Sequence, residues 1–174
     1  MENNMISPAD VHDAAAKLEK ENLKFRTFLR NHADEDTLDR DFALLHKELF
    51  SEEFCIQCGN CCREYSTVLN ESDIAAIAKY LEITPSAFLR EYTEDSCDGP
   101  EIKAPCRFLS SDGRCEIHAC KPEDCRSFPY TDKPERIWSL YNTISFASVC
   151  PLVFEILQRL KKQYGFRSQR DEKA

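Results

Sequence analysis

The sequence predicts an α+β fold, mainly α: a small metal-stabilised cysteine-cluster domain with a short β-hairpin, preceded by an N-terminal helical hairpin. Three observations predict it. Apolar residues recur at three- and four-residue steps through most of the chain, the helical period. Nine of the ten cysteines fall between residues 54 and 130, where regular patterning is weakest. Within that stretch, Pro105-Cys106-Arg107-Phe108-Leu109 and Arg114-Cys115-Glu116-Ile117 flank Ser-Ser-Asp-Gly, a hairpin signal.

Residues 1–50 hold no cysteine and read as two helices. Ser7-Pro8 is a start signal, a capping side chain followed by a first-turn proline. Val11, Ala14, Leu18, Phe25 and Phe28 then share one face, and after a break at Asn31–Asp36 a second stripe follows, Leu38, Phe42, Leu45 and Leu49. Both stripes are expected to pack on the main domain, the competing use being a dimerisation or partner surface. The acids from Asp34 to Glu53 form a solvated face. The expected division is a helical extension over 1–50, a cysteine-cluster metal-binding domain over 51–165 and a polar tail over 166–174.

The main domain opens with Phe54-Cys55-Ile56-Gln57-Cys58-Gly59-Asn60-Cys61-Cys62, read as a loop. Asn70-Glu71-Ser72-Asp73 starts a helix whose apolar face is Ile74, Ile77, Ala78 and Leu81. Thr84-Pro85 caps another, carrying Phe88, Leu89 and Tyr92. After the hairpin, Lys121-Pro122-Glu123-Asp124-Cys125-Arg126 reads as one helical turn, which Phe128-Pro129-Tyr130 leaves. Residues 137–147 are apolar and aromatic and read as strand-like, with Trp138, Tyr141 and Phe146 in the core. Pro151 begins a last helix with Leu152, Phe154, Ile156, Leu157 and Leu160. The late cations Arg159, Lys161, Lys162, Arg167, Arg170 and Lys173 complement a helix C-terminus, against the alternative of a nucleic-acid or partner contact.

Composition narrows the function. The chain of 174 residues carries 31 acidic against 23 basic side chains, a net charge of −8. Phosphate binding rests on a basic surface, so a nucleic-acid partner is not expected. The N-terminal stretch has neither a basic n-region nor an apolar h-region, and no run has the apolar length to span a bilayer. These features predict a cytoplasmic protein with no membrane partner, in a compartment where thiols stay reduced and serve as ligands or redox groups. The four glycines are too dispersed for a dinucleotide fingerprint or a P-loop, and HExxH and GxSxG are absent. There is no recognisable catalytic motif.

Cys55, Cys58, Cys61 and Cys62 form C-x2-C-x2-C-C. Two intervening residues let a tight turn aim both sulfurs at one ion, and Gly59 supplies the positive φ such a knuckle needs. Thiolate sulfur is soft and suits zinc, copper(I) or iron–sulfur clusters. Adjacent Cys61 and Cys62 are expected to point in different directions, which two metals or a bridging sulfur accommodate best. Cys106, Cys115, Cys125 and Cys150 follow at wider spacing, where a neutral half-core cysteine is the alternative to a ligand. Cys150, just before Pro151, is expected at a helix N-terminus, where the dipole favours a thiolate.

The Phe54–Cys62 motif, the helix opened by Asp73, and the order PCRFL, SSDGRC, IH and KPEDCRSFP resemble the YkgJ family of cysteine cluster proteins. It is also called the CxxCxxCC family and is described as a zinc- or iron-chelating domain. The resemblance covers roughly residues 54–151. It implies that the recurrent cysteines are Cys55, Cys58, Cys61, Cys62, Cys106, Cys115, Cys125 and Cys150, and it matches Arg126 and Pro129. His118 stands where the family has tyrosine, Lys121-Pro122 where it has Arg-Pro, and Cys97 and Cys120 fall outside the pattern. Eight such thiolates allow two closed four-thiolate zinc sites, a two-metal centre with bridging thiolates, or a [4Fe–4S] cluster on Cys55, Cys58, Cys61 and the Cys150-Pro151 pair. Arg126 is weighed between hydrogen-bonding thiolates and an ordinary ion pair, with Arg107 a weaker case of the same kind. His118 is expected to pack as the aromatic ring would, and Asp73 to serve the first turn of its helix.

The resulting expectation is a zinc- or iron-binding protein, non-catalytic, with a structural, metal-handling or interaction role toward a protein partner. The alternatives are an iron–sulfur metalloenzyme or redox protein and a thiol-based redox sensor. Flagellin lysine methylases carry a similar cysteine motif, but in longer chains.

Overall fold

Residues 5–167 are described by a computed structural model. In chain order the elements are α1 (Val11–His32), α2 (Glu35–Leu49), α3 (Glu52–Cys58), α4 (Asn60–Glu64), β1 (Thr67–Val68), α5 (Glu71–Tyr80), α6 (Pro85–Tyr92), β2 (Glu94–Ser96), β3 (Gly99–Ile102), a 3-10 turn (His118–Cys120), α7 (Glu123–Ser127), α8 (Arg136–Phe146) and α9 (Pro151–Gln163). The fold is mainly α with one small antiparallel sheet, the expected class. Two compact units divide it: the residues up to Phe50 with those from Pro129 onward, and Ser51–Phe128. Among the described residues no helix is long and apolar enough to cross a membrane. The part of the polar tail beyond residue 167, with Arg170 and Lys173, lies outside the described residues.

The first unit is four helices around one apolar core. The Ser7 hydroxyl bonds the Asp10 carboxylate at 2.7 Å and accepts from Asp10 N–H, a turn that leads into α1. Asp34 accepts from Thr37 N–H at 2.9 Å and so starts α2 after the extended Ala33. Val11, Phe25, Leu38, Phe42 and Leu49 of the two stripes are buried, and Ala14, Leu18, Phe28 and Leu45 pack against the same cluster. Leu140, Ile156, Leu157 and Leu160 of α8 and α9 complete it. The stripes therefore pack within the chain, as expected.

Residues 137–147 are helical, which corrects the extended reading. Ile137 and Leu140 are buried and Ile144 packs on the core, a three- and four-residue step that only a helix places on one face. Trp138 and Tyr141 point the other way and are exposed, so they are not core residues either. Aromatic and β-branched content suggested a strand; the period of burial decides otherwise. The start of α8 is held from outside: Asp39 of α2 accepts from Glu135 N–H at 2.7 Å and from Arg136 N–H at 2.8 Å. The buried Arg136 donates to Tyr130 C=O and the Thr143 hydroxyl, both at 2.5 Å, and lies over Phe42. The late cations are used internally as well. Arg159 bonds Glu48 at 2.6 Å and Glu155 at 2.9 Å, and the buried Lys161 bonds Glu21 at 2.7 Å.

The second unit carries a three-stranded antiparallel sheet in the order β1-β3-β2, with Thr67 opposite Ile102 and Glu94 opposite Glu101. Its core gathers Leu69, Ile77, Phe88, Ile102, Phe108 and Ile117. Asn70 and Asp73 form a capping box on α5, and Thr84 accepts from Ala87 N–H to cap α6. A short hairpin exists, but it is β2–β3, turning at Cys97-Asp98. At the Ser-Ser-Asp-Gly site the turn forms, with Ser110 N–H donating to Arg114 C=O at 2.9 Å, yet a lone bridge between Leu109 and Cys115 replaces a ladder. Both flanks curl locally instead, Leu109 N–H onto Cys106 C=O and His118 N–H onto Cys115 C=O.

Candidate metal centre

The first cysteine motif is two short helices rather than the expected loop. Ser51 accepts from Phe54 N–H, and Glu52 and Glu53 favour the N-terminus, so the segment before the motif starts a helix. Cys55 and Cys58 lie one turn apart on α3, Cys61 and Cys62 on α4. Gly59 joins the helices at φ 60°, the left-handed conformation its position predicts. A side chain there would also be crowded, its Cβ lying 3.2 Å from Arg63 Nη1 and 3.5 Å from Gly113 C=O. Arg63 folds back across this joint and donates to Cys58 C=O at 2.9 Å, satisfying a carbonyl that the end of α3 leaves open.

The other cysteines of the unit reach the motif through backbone. Cys106 N–H donates to Cys62 C=O at 2.7 Å, which fixes the PCRFL segment beside α4. Cys115 follows the Ser-Ser-Asp-Gly turn. Cys125 sits on α7, where its sulfur lies 3.2 Å from the Thr67 hydroxyl of β1. Three contacts tie that turn to α5. Asp73, only 4% exposed, accepts from Glu123 N–H at 3.0 Å; Asn70 Nδ2 donates to Glu123 at 3.1 Å; Arg126 lies 3.9 Å from Asp73. Asp73 thus closes its own helix and also anchors the segment that carries Cys125, a role its cap signal alone did not reveal.

Electrostatics make Cys62 the centre of the set. A hydrogen bond from the Cys61 thiol, aided by the Lys121 and Arg63 cations, outweighs burial and pulls Cys62 down to about 6. Burial pushes up Cys58, Cys106, Cys115 and Cys125, the last to about 11, and the charge of Cys62 pushes each further. Cys55 is raised by burial and then by Cys58. A thiolate at Cys62 therefore stands among thiols that resist ionising beside it, and a bound cation relieves that repulsion. In donor chemistry the set fits zinc or iron. In geometry, among the described residues no three His, Cys, Asp or Glu side chains are gathered closely enough to hold an ion.

The unit holds Cys55, Cys58, Cys61, Cys62, Cys106, Cys115 and Cys125, all partly buried, and none of the ten cysteines is in a disulfide. Cys150 belongs to the other unit. It is the N-cap of α9, as its sequence position predicts, and packs partly against the helical core. Cys97 is exposed at the β2–β3 turn, 3.7 Å from the Asp98 carboxylate. Cys120, given no role by the sequence, feels the charge of Cys115 from the 3-10 turn. His118 does not pack in place of an aromatic ring: it is exposed, with Nε2 3.6 Å from Glu52. Arg126 donates to Lys121 C=O, and Arg107 donates to Glu91 C=O and stacks 4.3 Å over Tyr92, so these contacts are to backbone and ring and not to a sulfur. The cations facing the thiols include Arg63 and Lys121, the latter marked by the sequence only as a lysine in an arginine's place.

A family model, CxxCxxCC, described as a "putative zinc- or iron-chelating domain", matches residues 54–151. No curated protein matches the chain, and no solved structure does.

Proposed function

The chain belongs to the CxxCxxCC family, and from that premise we propose that it binds zinc or iron through the thiolates of Cys55, Cys58, Cys61, Cys62, Cys106, Cys115, Cys125 and Cys150. The role is non-catalytic: structural, metal-handling or interaction with a protein partner. One observation carries the reading. Seven of the eight recurrent cysteines lie half-buried and outside any disulfide in one unit, where Cys106 N–H donates to Cys62 C=O. Clustered reduced thiols of this kind are soft ligands that deprotonate on binding a metal ion. Cys150 joins it through the family's pattern of cysteines. The same reading assigns the chain to the cytoplasm, where thiols are kept reduced.

The test is elemental analysis beside a visible spectrum on the full chain purified without oxygen. Stoichiometric metal is expected, lowered in Cys58→Ser and Cys125→Ser. A colourless zinc protein supports thiolate sites, and a brown one that bleaches on reduction supports the iron–sulfur alternative. Metal-free chain in which the segment carrying α3, α4 and α7 still folds cooperatively overturns the proposal.

Cys62 also favours a second reading, a thiol redox sensor. A thiol at about 6 is mostly thiolate at neutral pH, the form that peroxide attacks. Reversible metal release under mild peroxide supports that reading, and release only after irreversible oxidation sinks it.

A further inference from the structure

One surface of the four-helix unit differs in chemistry from the acidic chain around it. Trp138 and Tyr141 lie one turn apart on α8 and are 69% and 61% exposed. Arg30 lies over the Trp138 ring, 5.9 Å from its centroid, and Arg26 over the Tyr141 ring at 5.8 Å. The two arginines are themselves one turn apart on α1, and the exposed Leu23 precedes Arg26 on the same face. Arg159 and Lys161 of this unit are engaged by carboxylates, whereas Arg26 and Arg30 make no ion pair among the described residues.

A guanidinium held over a ring retains N–H groups that donate to a carboxylate in bidentate geometry. Trp, Tyr and Arg are also the residue types that anchor protein interfaces, because they combine a large apolar face with directional polar groups. The net charge of −8 disfavours both a phosphate backbone and a second copy of the chain as the occupant. Charge complementarity selects a partner that brings acids to the arginines and an apolar side chain to the rings.

We propose that Trp138, Tyr141, Arg26 and Arg30 form a docking surface for an acidic peptide segment of another protein, one with carboxylates flanking an apolar or aromatic residue. The surface lies wholly in the helical unit, and the proposal stands whether or not the cysteines hold metal.

The probe is a random twelve-residue peptide library selected on the immobilised full chain. Enriched peptides are expected to carry Asp or Glu beside an apolar residue. Their binding should fall roughly tenfold or more in Trp138→Ala and in the double variant Arg26→Glu, Arg30→Glu. Leu44→Ala, an exposed change on α2, should leave it unaltered, and unchanged helical circular dichroism shows that the variants fold. Failure to enrich any peptide, enrichment without acids, or binding that survives the surface variants overturns the proposal. So does binding of a uridine oligonucleotide that the same variants abolish, or a dimer in sedimentation that Trp138→Ala dissolves.

Discussion

The four-helix unit and the cysteine-bearing unit solve the problem of stability with different materials. In the first, α1 and α2 run long enough to bury whole stripes, and Leu29, Leu38, Phe42 and Ile156 are fully enclosed. Its polar contacts supplement a core that already closes: Lys161 with Glu21, Arg159 with Glu48, Asp39 on the start of α8. In the second, α3, α4 and α7 are five to seven residues long and bury no residue fully. Helices that short are marginal without tertiary support. Their support is side chain to backbone, Arg63 on Cys58 and Asp73 on Glu123, with thiols where the first unit has leucine. The apolar core of this unit lies around Ile77 of α5 and Phe88 of α6, and the cysteine-bearing helices are the part of it that the proposed metal would support.

That contrast is exposed most sharply by removing metal. A strong chelator added to metal-loaded full chain should abolish amide protection across α3, α4 and α7 while α1, α2, α8 and α9 keep theirs. Structural zinc contributes about 10–16 kcal/mol to such folds, the largest effect here. Loss of protection in both units together, or in neither, breaks the comparison. A core truncation should act in the reverse sense. Phe42→Ala is expected to cost about 3–5 kcal/mol in urea unfolding followed through the helical signal, with metal content unchanged.

A smaller effect tests the anchor of α7. Asp73→Ala leaves Glu123 N–H without its acceptor and Arg126 without its anion, a loss of about 1–3 kcal/mol. Alkylation of Cys125 in the metal-loaded chain, followed by mass spectrometry, should accelerate in that variant. Asn70→Asp, which keeps a capping oxygen, should restore neither defect when added to it. An unchanged Cys125 rate would show that Asp73 caps its helix and nothing more.

The smallest effect is a pH dependence confined to the helical unit. His46 bonds Thr131 at 2.8 Å and stacks on Phe50, and burial lowers its pKa below 6.5 despite the nearby Asp132. The fold therefore holds fewer protons than the unfolded chain in that range. Its contribution is present above about 6.5 and is lost as pH falls through the folded value. Urea midpoints at pH 7.5 and 5.5 should differ by less in His46→Gln than in the parent.

What could be read in advance was whatever closes within a few residues. Asn70 with Asp73, Thr84 with Ala87, Pro151 after Cys150 and the left-handed Gly59 all follow from local chemistry, and each stands where the sequence places it. The misreadings arose where distant partners decide. Residues 136–146 are helical because α1, α2 and α9 offer a surface to Ile137 and Leu140, not because of their composition. The β2 strand, Glu-Asp-Ser, has no strand propensity at all and exists through its pairing with β3. In the candidate centre, x2 spacing marked the sulfurs at 55, 58, 61 and 62. It could not mark Cys62 as their electrostatic centre, because Lys121 and Arg63 reach it only in the fold.

The division of the chain also sets an order of events on the ribosome. Its helical unit is built from both sides of the cysteine unit, so α1 and α2 must wait for α8 and α9 to emerge before their core can close. At ordinary synthesis rates that interval is on the order of seconds. Seven of the eight recurrent cysteines emerge within it between α2 and α8, and Cys150 follows between α8 and α9. The cysteine unit, which is continuous in sequence, can therefore fold before the helical core closes around its two flanks.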